Sequence, residues 1–300
     1  MEIVTENVKK VYRIKNGLFK SKKIDVVKNL NYSVKQGEII ALMGMASSGK
    51  STIINLLSGK ERPTSGRIFV DGEVNRSKLR NFCEVISDFR TRKMLGNESV
   101  YNNLVYYGIK MKVASLDVEK KIVDLRDVLS LEKMINKRVC DLNELELVKL
   151  HVCISMLKNP AILYFDNAFI GLNPVIKSSL LKILKRINKE FKTTIVIASV
   201  DLMDIEKICK RISVVQEGKI IVDGEYESVK NKYWRDKNVS VTFNKTYTTP
   251  KGDFEIIETN DYFLKVKIDF SKCDFATFIN QFDINSIVDI NISSVPLVNL

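Results

Sequence analysis

The sequence predicts an α/β fold, a mostly parallel sheet covered by helices, followed by a smaller α+β unit. Three observations predict it. Strand-like and helix-like segments alternate from about residue 38 to residue 222, the order that gives parallel strands joined through helices. The run Ala161-Ile162-Leu163-Tyr164-Phe165 is continuously apolar and ends in Asp166, as suits a strand buried on both faces. Finally, Gly44-Met45-Ala46-Ser47-Ser48-Gly49-Lys50-Ser51-Thr52 fits G-x-x-x-x-G-K-[ST] between an apolar strand (38–43) and a helical run (52–57), the context a phosphate loop requires.

In chain order, an opening strand (2–8) enters a basic stretch, and a second strand covers 25–34. A Gln36-Gly37 turn delivers the strand that feeds the phosphate loop. The loop's backbone N–H groups and the N-terminus of the next helix form a positive cradle for phosphates. Lys50 is placed to reach β- and γ-phosphates and the Ser51 hydroxyl to ligate Mg²⁺. A plain Ser/Gly turn is the alternative, and the flanking strand and helix speak against it. Pro63-Thr64-Ser65-Gly66 is a turn, and 67–73 a strand. From about 99 to 157 the period is mostly helical, with pieces at 118–129 and 144–157, so a helical insert (about 97–158) interrupts the core. After the strand at 161–166, whose terminal acid sits where α/β sheets bind ligands, come a helix (175–191), a strand (194–199), a helix (202–210) and a hairpin (212–216, 219–222) turning at Glu217-Gly218. A Lys- and Asn-rich segment, 229–238, marks the expected boundary between domains 1–230 and 231–300. Beyond it, strands at 239–243, 254–258, 262–269 and 286–293 and a helix at 274–282 complete the small unit.

Composition bounds the partners. The 300-residue chain is 45% hydrophobic, enough for a core, and no apolar run approaches the roughly 18 residues of a membrane span. The N-terminus lacks a signal-peptide pattern, so a cytosolic location is expected. The five cysteines are dispersed and never in C-x-x-C spacing, which argues for reduced, mostly buried thiols and against a disulfide framework or zinc site. The net charge is +12. Its early concentration, Lys9 to Lys35 against Asp25 alone, reads either as a solvated loop or as attraction to an anionic membrane leaflet. Nucleic acid is not supported, because aromatic residues are not interleaved with the charge.

With these pieces in order, residues 1–230 resemble the ATP-binding subunit of ABC transporters, a P-loop NTPase fold with a helical insert subdomain. The likeness is carried by the phosphate loop, Pro63-Thr64-Ser65-Gly66 with Val70-Asp71-Gly72, Asn159-Pro160 before the strand ending in Asp166, Gly171-Leu172-Asn173-Pro174, and 217–224. The small C-terminal unit, with Ser294-Val295-Pro296-Leu297, looks like the accessory domain of some ATPases of the ABC-2 exporter class. The resemblance implies that Tyr12 stacks on adenine, that Asp166 joins Ser51 in holding Mg²⁺, and that ATP is the ligand. It further implies a second ATP-binding subunit, as homo- or heterodimer, and a separate transmembrane subunit, with the chain peripheral on the cytoplasmic membrane surface.

Departures from the family pattern concern the groups that act on water. The general-base glutamate is replaced by Asn167, the switch histidine by Val200, and no glutamine lies between Gln36 and Gln216; the one histidine is His151. Asp88 is a possible stand-in metal ligand. The signature Leu-Ser-Gly-Gly-Gln reads Leu142-Asn143-Glu144-Leu145-Glu146, in which Asn143 and Glu146 have the spacing of a helix capping box. Ser47 stands at a usual glycine and Asn173 at a usual aspartate. Since a positioned base contributes about 10²–10⁴ in rate, the expectation is an exporter-type subunit that binds Mg-ATP and is hydrolytically impaired. A nucleotide-gated regulatory protein and a soluble ABC-fold protein acting on nucleic acid are the alternatives, separated by whether the partner is a multi-span membrane protein, a soluble protein or a nucleic acid.

Overall fold

A computed structural model of the chain describes residues 1–15, 21–89, 93–199, 207–233, 236–270 and 272–294. It contains two compact units, Met1–Asp223 and Gly224–Leu300. In the first, β1 (Ile3–Lys15) and β2 (Ser21–Val34) form a long antiparallel hairpin, with β4 (Ser65–Val70) on the other side of β1. Much of the basic stretch expected as a loop is therefore strand: Tyr12 pairs with Ile24 and Arg13 with Lys23. Charges alternating along a two-stranded ribbon stay solvated on both faces, so a paired strand and a loop carry the same hydrophilic signature.

The second sheet has the order β5-β6-β7-β3-β8-β9. Its parallel members are β5 (Cys83–Ile86), β6 (Ile162–Asp166), β7 (Thr194–Ser199), β3 (Ile39–Met43) and β8 (Arg211–Gln216). β9 (Lys219–Glu225) returns through the two-residue turn Glu217–Gly218, a connection that only antiparallel neighbours can make. β3 and β7 are buried throughout, and β6 is buried up to the half-buried Asp166, as suits strands covered on both faces. α1 (Lys50–Leu57) follows the phosphate loop, and α6 (Pro174–Phe191) connects β6 to β7. Ile40 and Leu42 of β3, Ile53 and Leu57 of α1, Leu30 of β2 and Tyr164 of β6 share one core, each such side chain contributing about 1.5–3 kcal/mol by burial. Arg211 fastens the neighbouring strands: its guanidinium forks onto Asp223 at 2.9 and 2.7 Å and reaches Glu38 at 3.1 Å.

α2 (Arg76–Phe82) and β5 have no counterpart in the sequence reading. The helical insert contains α3 (Val100–Lys110), α4 (Ser115–Leu129) and α5 (Glu144–Met156). The helix expected at 202–210 falls mostly outside the described residues; 207–210 are turn and bend.

The second unit begins with α7 (Tyr226–Tyr233), so the division falls before this helix, whereas the expected 230/231 boundary falls inside it. Its sheet has the order β11 (Phe254–Asn260), β12 (Phe263–Asp269), β10 (Asp236–Phe243), β13 (Ile287–Ser294). Val239, Val241, Leu264 and Val266 on one face meet Phe278 of α8 (Phe275–Ile279) and Phe282 in a separate core. The cysteines are free; Cys83, Cys153 and Cys209 are buried, Cys140 is exposed and Cys273 is between.

Candidate functional site

The phosphate loop leaves the C-terminal end of β3, and Asp166 closes the C-terminal end of β6, one strand away across β7. Parallel pairing puts both ends at the same sheet edge, where a crevice opens. Ser51 donates to Asp166 Oδ1 at 2.8 Å, so the two side chains expected to hold a metal are in contact. Lys50, only 4% exposed, folds over its own loop and donates to the carbonyls of Gly44 (2.7 Å) and Met45 (2.8 Å). Burial pushes its ammonium below the usual lysine range, and Asp166 opposes that shift.

The loop is braced by groups that the sequence reading did not single out. The Gly218 N–H donates to Ser48 O at 2.8 Å, and Gly218 O accepts from Lys28 N–H at 2.8 Å. A Cβ on Gly44 would lie 2.3 Å from Val215 O, one on Gly49 2.9 Å from Val26 O, and one on Gly218 2.1 Å from Val26 O. The cradle is thus built by close approach of bare backbone from β2 and the β8–β9 turn, and the glycines are required by space as well as by conformation. Ser47 sits at φ +64°, the left-handed region that disfavours a side chain. Among the non-glycine residues of the loop this backbone cost falls on Ser47, the position usually held by glycine. Met45, Ala46 and Ser47 form the exposed tip, and Thr52 is half-buried at the start of α1.

Tyr12 of β1 is half-buried, and its hydroxyl donates to Glu61 Oε2 at 2.6 Å. Glu61 also pairs with Lys10 at 2.9 Å and accepts from Asn55 Nδ2 at 3.2 Å, while the Lys10 ammonium lies 5.0 Å over the Tyr12 ring. Burial, then the Glu61 hydrogen bond, raise the Tyr12 pKa. Burial alone would raise Glu61 as well, but bonds from Tyr12 and Lys10 bring it below the ordinary glutamate range. The phenol is therefore a neutral donor held by an ionised acceptor.

At the water-activating positions, Asn167 has φ +55°, and its N–H donates to Ala198 O at 3.2 Å. Its Nδ2 reaches Asp166 Oδ1 at 3.4 Å, and its Oδ1 is buried without a partner. Val200 lies outside the described residues. Asp88 lines a narrow recess of about 50 Å³ with Phe89, Glu144 and Gly171, none of them in the phosphate loop. The altered signature is a complete capping box: Asn143 Oδ1 accepts from Glu146 N–H at 3.0 Å, and Glu146 Oε2 accepts from Asn143 N–H at 3.1 Å. Lys137 binds Glu146 at 2.6 Å and lowers its pKa. Asn173 caps α6 by accepting from Ile176 N–H at 3.0 Å and approaches Glu144 at 3.4 Å.

The donor set fits a magnesium nucleotide. A hydroxyl and a carboxylate side by side are hard oxygen ligands, and Mg²⁺ takes one or two such protein groups while phosphates and waters supply the rest. Among the described residues no cluster of three or more His, Cys, Asp or Glu forms a self-sufficient metal cage, and no described helix is long and apolar enough to cross a membrane.

Residues 27–170 match the family model described as ABC transporter. Among characterised relatives, the methionine import ATP-binding protein MetN 1 of Oceanobacillus iheyensis is 29% identical over 261 residues, covering 85% of this chain and 74% of that one. MetN 2 of Bacillus licheniformis is 30% identical over 232 residues, covering 75% and 66%. MetN of Bacillus subtilis is 30% identical, covering 73% and 64%, so the chain spans slightly less than two-thirds of these last two. Among solved structures, cbiO1 from Clostridium perfringens, part of the transporter complex cbiONQ, aligns with TM-score 0.66 at 23% identity over 77% of this chain and 90% of that one. A dimeric ATP-binding cassette in a post-hydrolysis state with ADP and Pi aligns with TM-score 0.60 at 21% identity, over 74% and 98%. At these identities the structures establish the fold, and the motifs together with the family match establish the lineage: this chain belongs to the ATP-binding family of ABC transporters.

Proposed function

We propose that the chain is a transporter's ATP-binding subunit that binds Mg-ATP and hydrolyses it poorly. The observation that carries this reading is the pairing of Ser51 with Asp166 beside the phosphate loop, next to an amide at Asn167 where a base is needed. Lys50 and the loop N–H groups hold the phosphates. Ser51 and Asp166 hold the metal, which screens charge on the phosphates when bound. The Tyr12 ring would stack on the base, with Lys10 over one of its faces. Asn167 has no site that accepts a proton from water at neutral pH, and its amide spends a donor on Asp166, so it orients the carboxylate and activates nothing. Asn143 and Glu146 are occupied in capping α5, and Glu144 brings a carboxylate to a position where the family presents glycine to a γ-phosphate.

The subunit works with a second ATP-binding subunit and a separate transmembrane subunit at the cytoplasmic membrane surface. The exporter assignment rests on the C-terminal unit's likeness to an accessory domain, whereas the relatives are named as import proteins. The direction of substrate flux after reconstitution with the membrane subunit separates the two. The central test measures nucleotide binding and phosphate release on one preparation, with Lys50→Ala as control. Binding without appreciable release, lost in the control, is expected; release at ordinary transporter rates, abolished by Lys50→Ala, refutes impairment.

A further inference from the structure

A second cleft, of about 600 Å³, opens at the opposite edge of the parallel sheet. It is lined by Asn81, which precedes β5, by Leu157 to Asn159, which precede β6, and by α4. Asp166 is at the far end of β6, seven residues beyond Asn159, which at about 3.3 Å per residue puts the two sites up to roughly 23 Å apart.

The floor of this cleft carries an unusual charge. Lys121 is only 5% exposed, and its Nζ donates to Asn159 Oδ1 at 2.8 Å while lying 4.1 Å from the centre of the Phe191 ring. Neither partner carries a formal negative charge, and no described carboxylate comes within ion-pair distance of Lys121; Asp124 attracts it from farther off. Burial accordingly pushes its pKa down. Taking an ammonium out of water costs several kcal/mol unless an anion answers it. An aliphatic residue in register with Val118 and Leu125 would serve packing better. An ammonium has three donors, and Asn159 uses one. Around the rim, Lys112, Lys120 and Lys158 outnumber Asp117 and Asp124, so the cleft as a whole is cationic. Asn159 has φ +52°, a conformation that asparagine tolerates better than most residues.

We propose that this cleft is a binding site for a small multivalent anion, a phosphate ester or a dicarboxylate, whose charged group sits on Lys121. The site is independent of the nucleotide cradle and of whether the chain hydrolyses ATP. The size suits a metabolite, since ligand pockets run from about 300 to 1,000 Å³.

The test titrates inorganic phosphate and, separately, succinate into the full chain by calorimetry. Selective ¹⁵N labelling of asparagine reports the side-chain amides of Asn81 and Asn159. Saturable binding of at least one anion is expected, with shifts at both amides. Affinity should fall at least about tenfold in Lys121→Met and several-fold in the surface variant Lys120→Ala/Lys158→Ala. Lys121→Met should melt no lower than wild type, because removing an unanswered buried charge does not weaken the core. Phosphate that enters the nucleotide cradle binds wild type and both variants alike, so the difference belongs to the cleft. Should Lys121→Met fail to fold, the surface variant decides. The proposal is overturned if neither anion binds saturably, if the variants bind as wild type does, or if the asparagine amides of the cleft do not respond.

Discussion

Replacing Asn167 by glutamate tests the proposed impairment from the structure outward. Asn167 Nδ2 stands 3.4 Å from Asp166 Oδ1, so Asn167→Glu exchanges a donor for a like charge. Two carboxylates about 4 Å apart repel by roughly 4 kcal/mol at an effective dielectric of 20, equivalent to about 3 pKa units on the introduced group. In the nucleotide-free protein the new glutamate therefore has a raised pKa, and the folded state binds its proton more tightly than the unfolded state does. The stability deficit relative to wild type is then small near pH 5 and grows as pH rises through the raised value. Mg-ATP supplies the missing positive charge and shrinks the deficit at pH 7.5. Urea denaturation at both pH values, with and without Mg-ATP, reads these effects, and phosphate release reads the chemistry. A single base restores at most the lower part of its usual 10²–10⁴ range, because the signature segment still carries Glu144 and Glu146. The reasoning fails if Asn167→Glu is as stable as wild type at pH 7.5 without magnesium, or if wild type already turns over as fast as the variant.

Two further outcomes follow from the same geometry. Gly218→Ala places a Cβ 2.1 Å from Val26 O at φ +76°, whereas Gly72→Ala has φ +85° and open space. Thermal melts and nucleotide titration should show loss of fold or of phosphate binding for the first and a cost of about 1 kcal/mol for the second. Glu146→Ala removes the Lys137 bond and half of the capping box, at a cost of about 1 kcal/mol at pH 7. Because the Glu146 pKa is lowered by Lys137 and by the Asn143 N–H, that contribution is present above the unfolded value near 4.5 and disappears as pH falls through the lower folded value. Denaturation curves at pH 7 should therefore separate variant from wild type, and the gap should narrow as pH falls below 4.5.

What the sequence made legible was local. The phosphate loop, the apolar strand ending in Asp166 and the Asn143–Glu146 box each lie within a few consecutive residues, where chain chemistry alone sets geometry. α2 and β5 were not legible: α2 buries only Leu79, and β5 is a four-residue edge strand with two half-buried positions. Neither offers a period to read. The bracing of the loop by Gly218 and Val26 O depends on strands distant in sequence, and a Glu-Gly turn gives no sign of what its backbone touches. Lys121 did leave a signal. It falls with Val118, Leu125 and Val128 on the inward face of α4, where a charged residue in an apolar register marks an exception to be explained.

Among the described residues, the positions that depart from the family pattern are taken into the chain's own structure. Asn143 and Glu146 close one helix end, Asn173 closes another and touches Glu144, and Asn167 holds Asp166. Ser at 143, Gln at 146 and Asp at 173 would cap as well as the residues present, but an acid at 173 would face Glu144 and one at 167 would face Asp166, so at those two positions restoring the family residue adds like-charge repulsion before it returns any catalysis. The groups proposed to grip phosphate are under the opposite constraint. Lys50 and Ser51 are satisfied internally by Gly44, Met45 and Asp166, and nucleotide must exchange those bonds for its own, with a net gain near zero for each exchange. Affinity then comes chiefly from the loop N–H groups and from metal charge, which the side-chain changes leave untouched. On the proposed reading the two halves of the site are separable: binding can persist while an acid at 167 or 173 is opposed by a neighbouring carboxylate, so recovering turnover should require several substitutions made together.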